Sequence, residues 1–151
     1  MLLFFSLWTG LFLSFDLFLE EPAAALAEDL VIIANEAFPA DSISPFDLME
    51  IYTGHYVVFQ RFKIRPLDQS DDQNIKKIFL QNVVQFTPDN YKAHWLKWTF
   101  KTGRQPPLVV SNPNEVIHMV QKDKNGIGYV WAHEVQNANG IKVLLKIPVK
   151  E

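Results

Sequence analysis

The chain has 151 residues, with 17 acidic and 14 basic side chains and no cysteine. This small net charge argues against a polybasic nucleic-acid binder, whose affinity comes from neutralising many phosphates. Without cysteine, neither disulfide bonds nor thiolate chemistry is available. The length is typical of one domain and is enough to bury a hydrophobic core.

The beginning of the chain differs from the rest. Residues 2–19 are almost all apolar, with Asp16 as their only charge, and an Ala-x-Ala motif follows at residues 25–27. That motif fits the small-residue pattern that signal peptidase recognises. We therefore predict a signal peptide over residues 1–27 that is cleaved off, and export of residues 28–151 to the periplasm. The alternative is a membrane anchor at residues 2–19, because this run is near the shortest length that spans a bilayer.

The first predicted element after this segment is a strand at Leu30–Asn35. Its continuous apolar run is typical of a strand that is covered on both faces. Ser44 followed by Pro45 predicts the start of a helix, because serine caps the first turn and proline suits its first position. Gly54 predicts the end of that helix.

Two short strands and a second helix are predicted next. The strands lie at 57–60 and 63–67, and Pro66 places the second of them at a sheet edge or a strand end. Ser70 then opens the second helix, whose apolar residues recur at spacings of three and four.

The helix-start pattern of a capping residue before proline occurs twice more. Thr87-Pro88 predicts a third helix that ends near Gly103, and Asn112-Pro113 predicts a fourth. Further strands are predicted at Leu108–Val110, Gly126–Val130 and Lys142–Ile147. Strands and helices that alternate in this way predict an α/β fold, here a single three-layer domain in which a mixed sheet is flanked by helices.

Several segments, taken in order, carry a family resemblance. They are Ile51–Gly54, Pro66–Asp68, Tyr91–Trp95, Phe100–Pro107 and Asn125–Val130. Their succession resembles the short phosphate-type substrate-binding proteins of ABC transporters, which have a domain of the periplasmic binding protein type II kind. The resemblance implies an extracytoplasmic α/β domain, an oxyanion such as phosphate as its ligand, and the membrane component of an ABC transporter as its partner.

One loop departs from the family pattern. Phosphate-binding members carry a loop similar to Ser-Gly-Ser-Gly-Thr, whose backbone amides meet the phosphate. The matching stretch here, Gln69–Asn74, has no glycine and includes Asp71 and Asp72. The alternative function is therefore an envelope interaction or regulatory protein of the same fold that has lost ligand binding.

The candidate ligand contacts are Arg104, Ser70 and Lys101, because an oxyanion needs donors at a helix start together with a base. Arg104 is the first choice, since its planar guanidinium can donate two hydrogen bonds to one oxyanion. Ser70 would contribute a hydroxyl and a helix start, and Lys101 mostly charge. Lys101 and Arg104 share a helix face with His94 and Lys97. The alternatives are an ordinary N-cap at Ser70 and a solvated basic face.

No motif in the sequence favours an enzyme. Gly-x-Ser-x-Gly, the nucleophile elbow of the α/β-hydrolases, is absent. None of the four histidines lies four residues from another, so we expect no metal site and no cofactor. No nucleic-acid partner is expected either. Trp95 and Trp98, which share a helix arc with Tyr91, are predicted to anchor the core.

Overall fold

The computed structural model describes residues 28–149. In this range the strands are β1 (Asp29–Asn35), β2 (Val58–Phe59), β3 (Phe62–Lys63), β4 (Arg65–Gln69), β5 (Leu108–Val110), β6 (Gly126–Trp131) and β7 (Ile141–Pro148). The α-helices are α1 (Pro45–Tyr52), α2 (Asn74–Phe79), α3 (Pro88–Thr102) and α4 (Pro113–Lys122), with a π-helical turn at Leu80–Val84 and a 3-10 turn at Ala132–Val135. The predicted signal peptide and its alternative, a membrane anchor, lie outside the described residues. Within 28–149, no helix is both long enough and apolar enough to cross a membrane.

Five of these strands form one sheet in the order β5-β4-β6-β1-β7. β4 runs parallel to both β5 and β6, whereas β1 runs antiparallel to β6 and β7. β2 and β3 form a separate antiparallel pair. The prediction of a mixed sheet is therefore confirmed.

The side chains of β1 show why this strand is apolar along its whole length. Leu30, Ile32 and Ala34 face a core that also contains residues of α1, α2 and α3. Val31 and Ile33 face a second core that contains residues of α4. Because successive side chains of a strand point to opposite faces, a strand between two helical layers must be apolar at every position. The predicted three-layer α/β architecture is confirmed.

Three helices begin where the sequence predicts. The side chains of Ser44, Thr87 and Asn112 each accept a hydrogen bond from the backbone N–H three residues later, and proline occupies the first turn in each case. The cap satisfies a backbone donor that has no partner within the helix.

The second helix begins later than predicted. The expectation that Ser70 opens it is wrong, because α2 starts at Asn74 with Gln73 as its N-cap. The Ser70 N–H donates to the carbonyl of Val110, so this residue continues the pairing of β4 with β5. Its hydroxyl donates to the Asp72 carboxylate, whereas the side chain of an N-cap accepts a hydrogen bond from a helix N–H. Residues 70–73 therefore form a turn between β4 and α2.

Of the two predicted alternatives for Pro66, the sheet edge is wrong and the strand end fits, since Pro66 is the second residue of β4. β4, which contains Pro66, lies between β5 and β6 and is not an edge strand. The neighbouring Arg65 N–H donates toward β6, to the carbonyl of Asn125, so the nitrogen of Pro66 faces the β5 side. Pairing with β5 begins only at Leu67. The missing N–H of proline therefore removes no hydrogen bond from the sheet.

Candidate binding cleft

A cleft lies at the carboxyl ends of β4 and β5. From β4 the chain continues into α2 and α3 on one face of the sheet, and from β5 it continues into α4 on the other face. Where the connections of adjacent parallel strands part in this way, a crevice opens between them. Ligands of open α/β sheets bind in such crevices.

The cleft has a volume of about 770 Å³ and two chemically different parts. One wall is apolar and is built from α3 and the segment before β5; it contains Trp95, Leu96, Phe100, Pro106, Pro107 and Val109. The other part is polar and contains Asp68, Ser70, Asp71, Lys76 and Lys92. Charged groups beside an apolar wall interact more strongly than the same groups in open water.

Asp68 forms the floor of the polar part and is almost fully buried, with 3% of its surface exposed. One carboxylate oxygen accepts hydrogen bonds from the Tyr129 hydroxyl at 2.5 Å and the Gln69 N–H at 2.8 Å. The other oxygen lies 3.0 Å from the ammonium of Lys76. A buried charge is tolerated only when it is paired and hydrogen-bonded, and Asp68 meets both conditions.

Two lysines from different helices converge on Asp71 in the 70–73 turn. The ammonium of Lys76, on α2, lies 2.9 Å from one carboxylate oxygen of Asp71. The ammonium of Lys92, on α3, lies 2.7 Å from the other oxygen. Lys76 also contacts Asp68, so the four side chains form a chain of alternating charge that runs from the floor to the mouth of the cleft.

This arrangement shifts the pKa values of its members. Hydrogen bonds from Lys92 and Lys76 lower the pKa of Asp71 below its ordinary value. Burial alone would lower the pKa of Lys76, but the carboxylates of Asp68 and Asp71 outweigh burial and raise it. Burial, with a smaller contribution from Asp68, raises the pKa of Tyr129 and keeps its phenol neutral.

The lowered pKa of Asp71 predicts that acid removes part of the stability. Above 3.8, the ordinary pKa of this carboxyl, the ion pairs stabilise the fold in full. As the pH falls below that value, the unfolded chain binds the proton first, so the contribution is lost as the pH passes through the lower folded-state pKa. Urea unfolding between about pH 5 and pH 2 should show a steeper loss of stability for wild type than for Asp71→Asn. Equal slopes for the two proteins would contradict this prediction.

The three contacts predicted from the sequence do not come together. Ser70 lies in the cleft, where its hydroxyl donates to Asp72 and lies 3.3 Å from the carbonyl oxygen of Ser111. Arg104 instead lines a separate cavity of about 280 Å³. Lys101 is exposed, with its ammonium 5.9 Å from the centre of the Trp98 ring. Lys76 and Lys92 were not predicted as ligand contacts. The signal in the sequence that could have found them is the pair of acids Asp68 and Asp71, which need basic partners nearby.

Two residues of the predicted basic face, Arg104 and His94, are hydrogen-bond partners of backbone carbonyls at the C-terminal end of α1. Arg104 donates to the carbonyl of Gly54 at 2.5 Å, and His94 Nε2 lies 2.8 Å from the carbonyl of Thr53. Trp95 Nε1 and the Tyr91 hydroxyl both donate to the carbonyl of Tyr52. The last carbonyls of a helix have no partner within it, so α3 and its C-terminal end supply those partners to α1.

Trp95 and Trp98 differ in burial. Trp95 is 7% exposed and belongs to the core, as predicted. Trp98 is only partly buried and packs against the edge of that core. Both indoles cover Gly54, whose φ is +80°, and a Cβ at this position would lie 2.6 Å from the ring of Trp95. Glycine is therefore required where α1 ends.

Within residues 28–149, no three histidine or carboxylate side chains are grouped as a metal site requires.

No protein-family model matches the chain, and no curated protein matches it in sequence. Solved structures are similar to it in fold. An ABC-type phosphate transport receptor from Vibrio cholerae matches with 15% identity and a TM-score of 0.58, over 78% of this chain and 45% of its own. PstS from Borrelia burgdorferi matches with 18% identity and a TM-score of 0.59, over 78% and 46%.

A third structure, from Clostridium perfringens, is assigned to the phosphate ABC transporter substrate-binding proteins and contains bound phosphate. It matches with 16% identity and a TM-score of 0.61, over 78% of this chain and 44% of its own. This chain thus shares the periplasmic binding protein-like α/β fold of these proteins and spans less than half of their length.

Proposed function

We propose that this chain is an extracytoplasmic binding protein, and not an enzyme, that holds phosphate or a similar oxyanion in the cleft at the carboxyl ends of β4 and β5. The fold supports this proposal, since the Clostridium perfringens structure contains bound phosphate. The names of the similar structures associate the fold with ABC transporters, so we propose the membrane component of such a transporter as partner. The predicted signal peptide would place the protein in the periplasm.

The observation that carries the proposal is the position of Asp71. Its two carboxylate oxygens lie 2.9 Å and 2.7 Å from the ammonium groups of Lys76 and Lys92. Two cations that converge on one carboxylate are positioned to pair with an external oxyanion in its place, which supports the proposal. An incoming oxyanion would take the place of this carboxylate.

The neighbouring groups suit such an exchange. Asp68 holds Lys76 in position whether or not Asp71 is in contact. Asp71 lies in the 70–73 turn with half of its side chain exposed, so it can leave without disturbing a strand or a helix. Ser70, in the same turn, has a hydroxyl that can donate to the ligand. Asp68, Asp71, Lys76 and Lys92 together carry no net charge, so Asp71 sets the affinity for anions.

Removing the charge of Asp71 should therefore tighten oxyanion binding. We expect Asp71→Asn to lower the Kd for phosphate at least about tenfold, because a competing anion is removed and the cleft gains one net positive charge. Lys92→Ala should weaken binding by about tenfold or more, because one of the two cations is lost. Calorimetric titration with phosphate, sulfate and molybdate measures both effects.

Two sets of variants distinguish this site from other locations. Lys124→Ala removes an exposed base on a distant turn and should leave the Kd unchanged. Lys101→Ala and Arg104→Ala should also leave it unchanged if the oxyanion lies between Lys76 and Lys92. Loss of binding in Arg104→Ala alone would move the site to the smaller cavity. If neither wild type nor Asp71→Asn binds any of the three anions, the protein is instead an interaction protein of the same fold.

A further inference from the structure

The cleft is much larger than the oxyanion that the proposed function places in it. Its volume of about 770 Å³ falls within the range of about 300–1,000 Å³ that is usual for sites of drug-sized molecules. A single phosphate between Lys76 and Lys92 leaves the space along the apolar wall unfilled. The cleft therefore has room for a second chemical group that is attached to the oxyanion.

One face of α3 runs from the polar part of the cleft into the apolar part. Lys92, Leu96 and Phe100 follow one another at a spacing of four residues, and all three line the cleft. At a rise of about 1.5 Å per residue, Leu96 lies about 6 Å and Phe100 about 12 Å along the helix from Lys92. A group that is joined to an oxyanion at Lys92 and extends along α3 thus meets carbon surface within one turn.

The side-chain donors of the apolar wall are absent or already used. Pro106 and Pro107, in the segment before β5, have no N–H to donate. The indole N–H of Trp95 donates to a carbonyl at the end of α1, and the hydroxyl of Thr99 donates to the carbonyl of Arg104. A hydroxylated group such as a sugar would lose its water here and find no free donor among these side chains, which is costly. The wall therefore suits an apolar group.

We infer that the ligand is an organic phosphate: a phosphate monoester whose oxyanion takes the place of Asp71 between Lys76 and Lys92, and whose apolar substituent lies against the apolar wall. This inference rests on the proposed function, because the same two ammonium groups hold the oxyanion. A phosphate monoester carries close to two negative charges at neutral pH, so the ion pairs are kept. The substituent adds affinity because its apolar surface and that of the wall are removed from water together.

Calorimetric titration at neutral pH with a set of small phosphates tests this inference. Inorganic phosphate, methyl phosphate, glycerol phosphate and phenyl phosphate are compared on the wild-type protein. We expect phenyl phosphate to bind with a Kd at least about tenfold below those of methyl and glycerol phosphate, since only its ring buries a large apolar surface. Phenol has the ring without the oxyanion and should bind at least about tenfold more weakly than phenyl phosphate.

A substitution in the apolar wall tests where the ring lies. Leu96→Gln keeps a side chain of similar helix propensity but removes apolar surface one turn from Lys92. It should reduce the preference for phenyl over methyl phosphate to less than about threefold. Phe46→Gln is the matched control, because Phe46 is 59% exposed on α1 and does not line the cleft, so the preference should keep its wild-type value. Thermal melts show that each variant is folded.

The outcomes separate this inference from the proposed function. Equal affinities for phenyl, methyl and glycerol phosphate, or a preference that Leu96→Gln leaves intact, would overturn the inference, while binding of inorganic phosphate would still support the proposed function. If phenol binds as tightly as phenyl phosphate, or if Lys92→Ala leaves the Kd for phenyl phosphate unchanged, the two lysines do not hold the ligand and both proposals fail. Both also fail if none of the phosphates binds.

Discussion

Replacing Lys76 with methionine should lower the free energy of unfolding by about 3–5 kcal/mol, because Asp68 would remain buried without its counter-ion. Methionine keeps most of the volume of the side chain, so the loss reports the charge and not a cavity. Asp68 would retain the hydrogen bonds from Tyr129 and Gln69, which do not neutralise it. Urea unfolding at neutral pH measures the difference.

Lys77→Met is the matched control for this prediction. Lys77 follows Lys76 in α2 but is exposed and outside the cleft. Its replacement should change stability by no more than about 0.5 kcal/mol. If Lys76→Met costs less than about 1 kcal/mol, the ion pair between Lys76 and Asp68 does not stabilise the buried Asp68 carboxylate as described.

Replacing Trp95 with alanine should destabilise the fold by about 3–5 kcal/mol, which is the usual cost of deleting a large buried aromatic side chain. Trp95 packs against Tyr91 and Gly54, and its indole donates to the carbonyl of Tyr52 at the end of α1. The alanine variant loses the packing and this donor together. Chemical denaturation gives the value.

Lys97→Ala controls for the helix itself, because Lys97 is an exposed position two residues along α3. Its effect should stay within about 0.5 kcal/mol. A loss below about 1 kcal/mol for Trp95→Ala would mean that this indole does not anchor the contact between α3 and α1.

The parts of the fold that sequence reasoning predicted correctly depend on local signals. Ser44, Thr87 and Asn112 cap their helices through hydrogen bonds to the third residue along, so a few adjacent residues decide the outcome. The apolar run of β1 is equally local, because burial on both faces requires every position to be apolar. The mixed three-layer domain follows from these elements and their order.

The errors arose where distant residues compete for a local group. Ser70 has the side chain of an N-cap, but its N–H pairs with Val110 and its hydroxyl with Asp72, so the helix starts later. Pro66 predicted a sheet edge or a strand end, and the strand is central; proline is tolerated near its start because β5 pairs only from Leu67 onward. Neither the hydrogen bond from Ser70 to Val110 nor the residue at which β5 begins to pair with β4 is visible from the neighbouring sequence.

The candidate site shows the same limit more strongly. Arg104 is well suited to hold an oxyanion by residue type, yet the carbonyl of Gly54 accepts its guanidinium hydrogen bond. Lys76 and Lys92 belong to different helices, and only the tertiary structure brings both to Asp71. Residue type identified the kind of group that an oxyanion needs, whereas the tertiary structure decides which of those groups converge.

A phosphate titration of the wild-type protein followed by amide NMR, with chloride at matched ionic strength as the reference, tests the binding proposal most directly. If an oxyanion displaces the Asp71 carboxylate, the amide signals of Ser70, Asp71 and Lys92 should shift together and saturate with one Kd. The absence of any saturable shift, or a shift confined to the residues around Arg104, would contradict the proposed site.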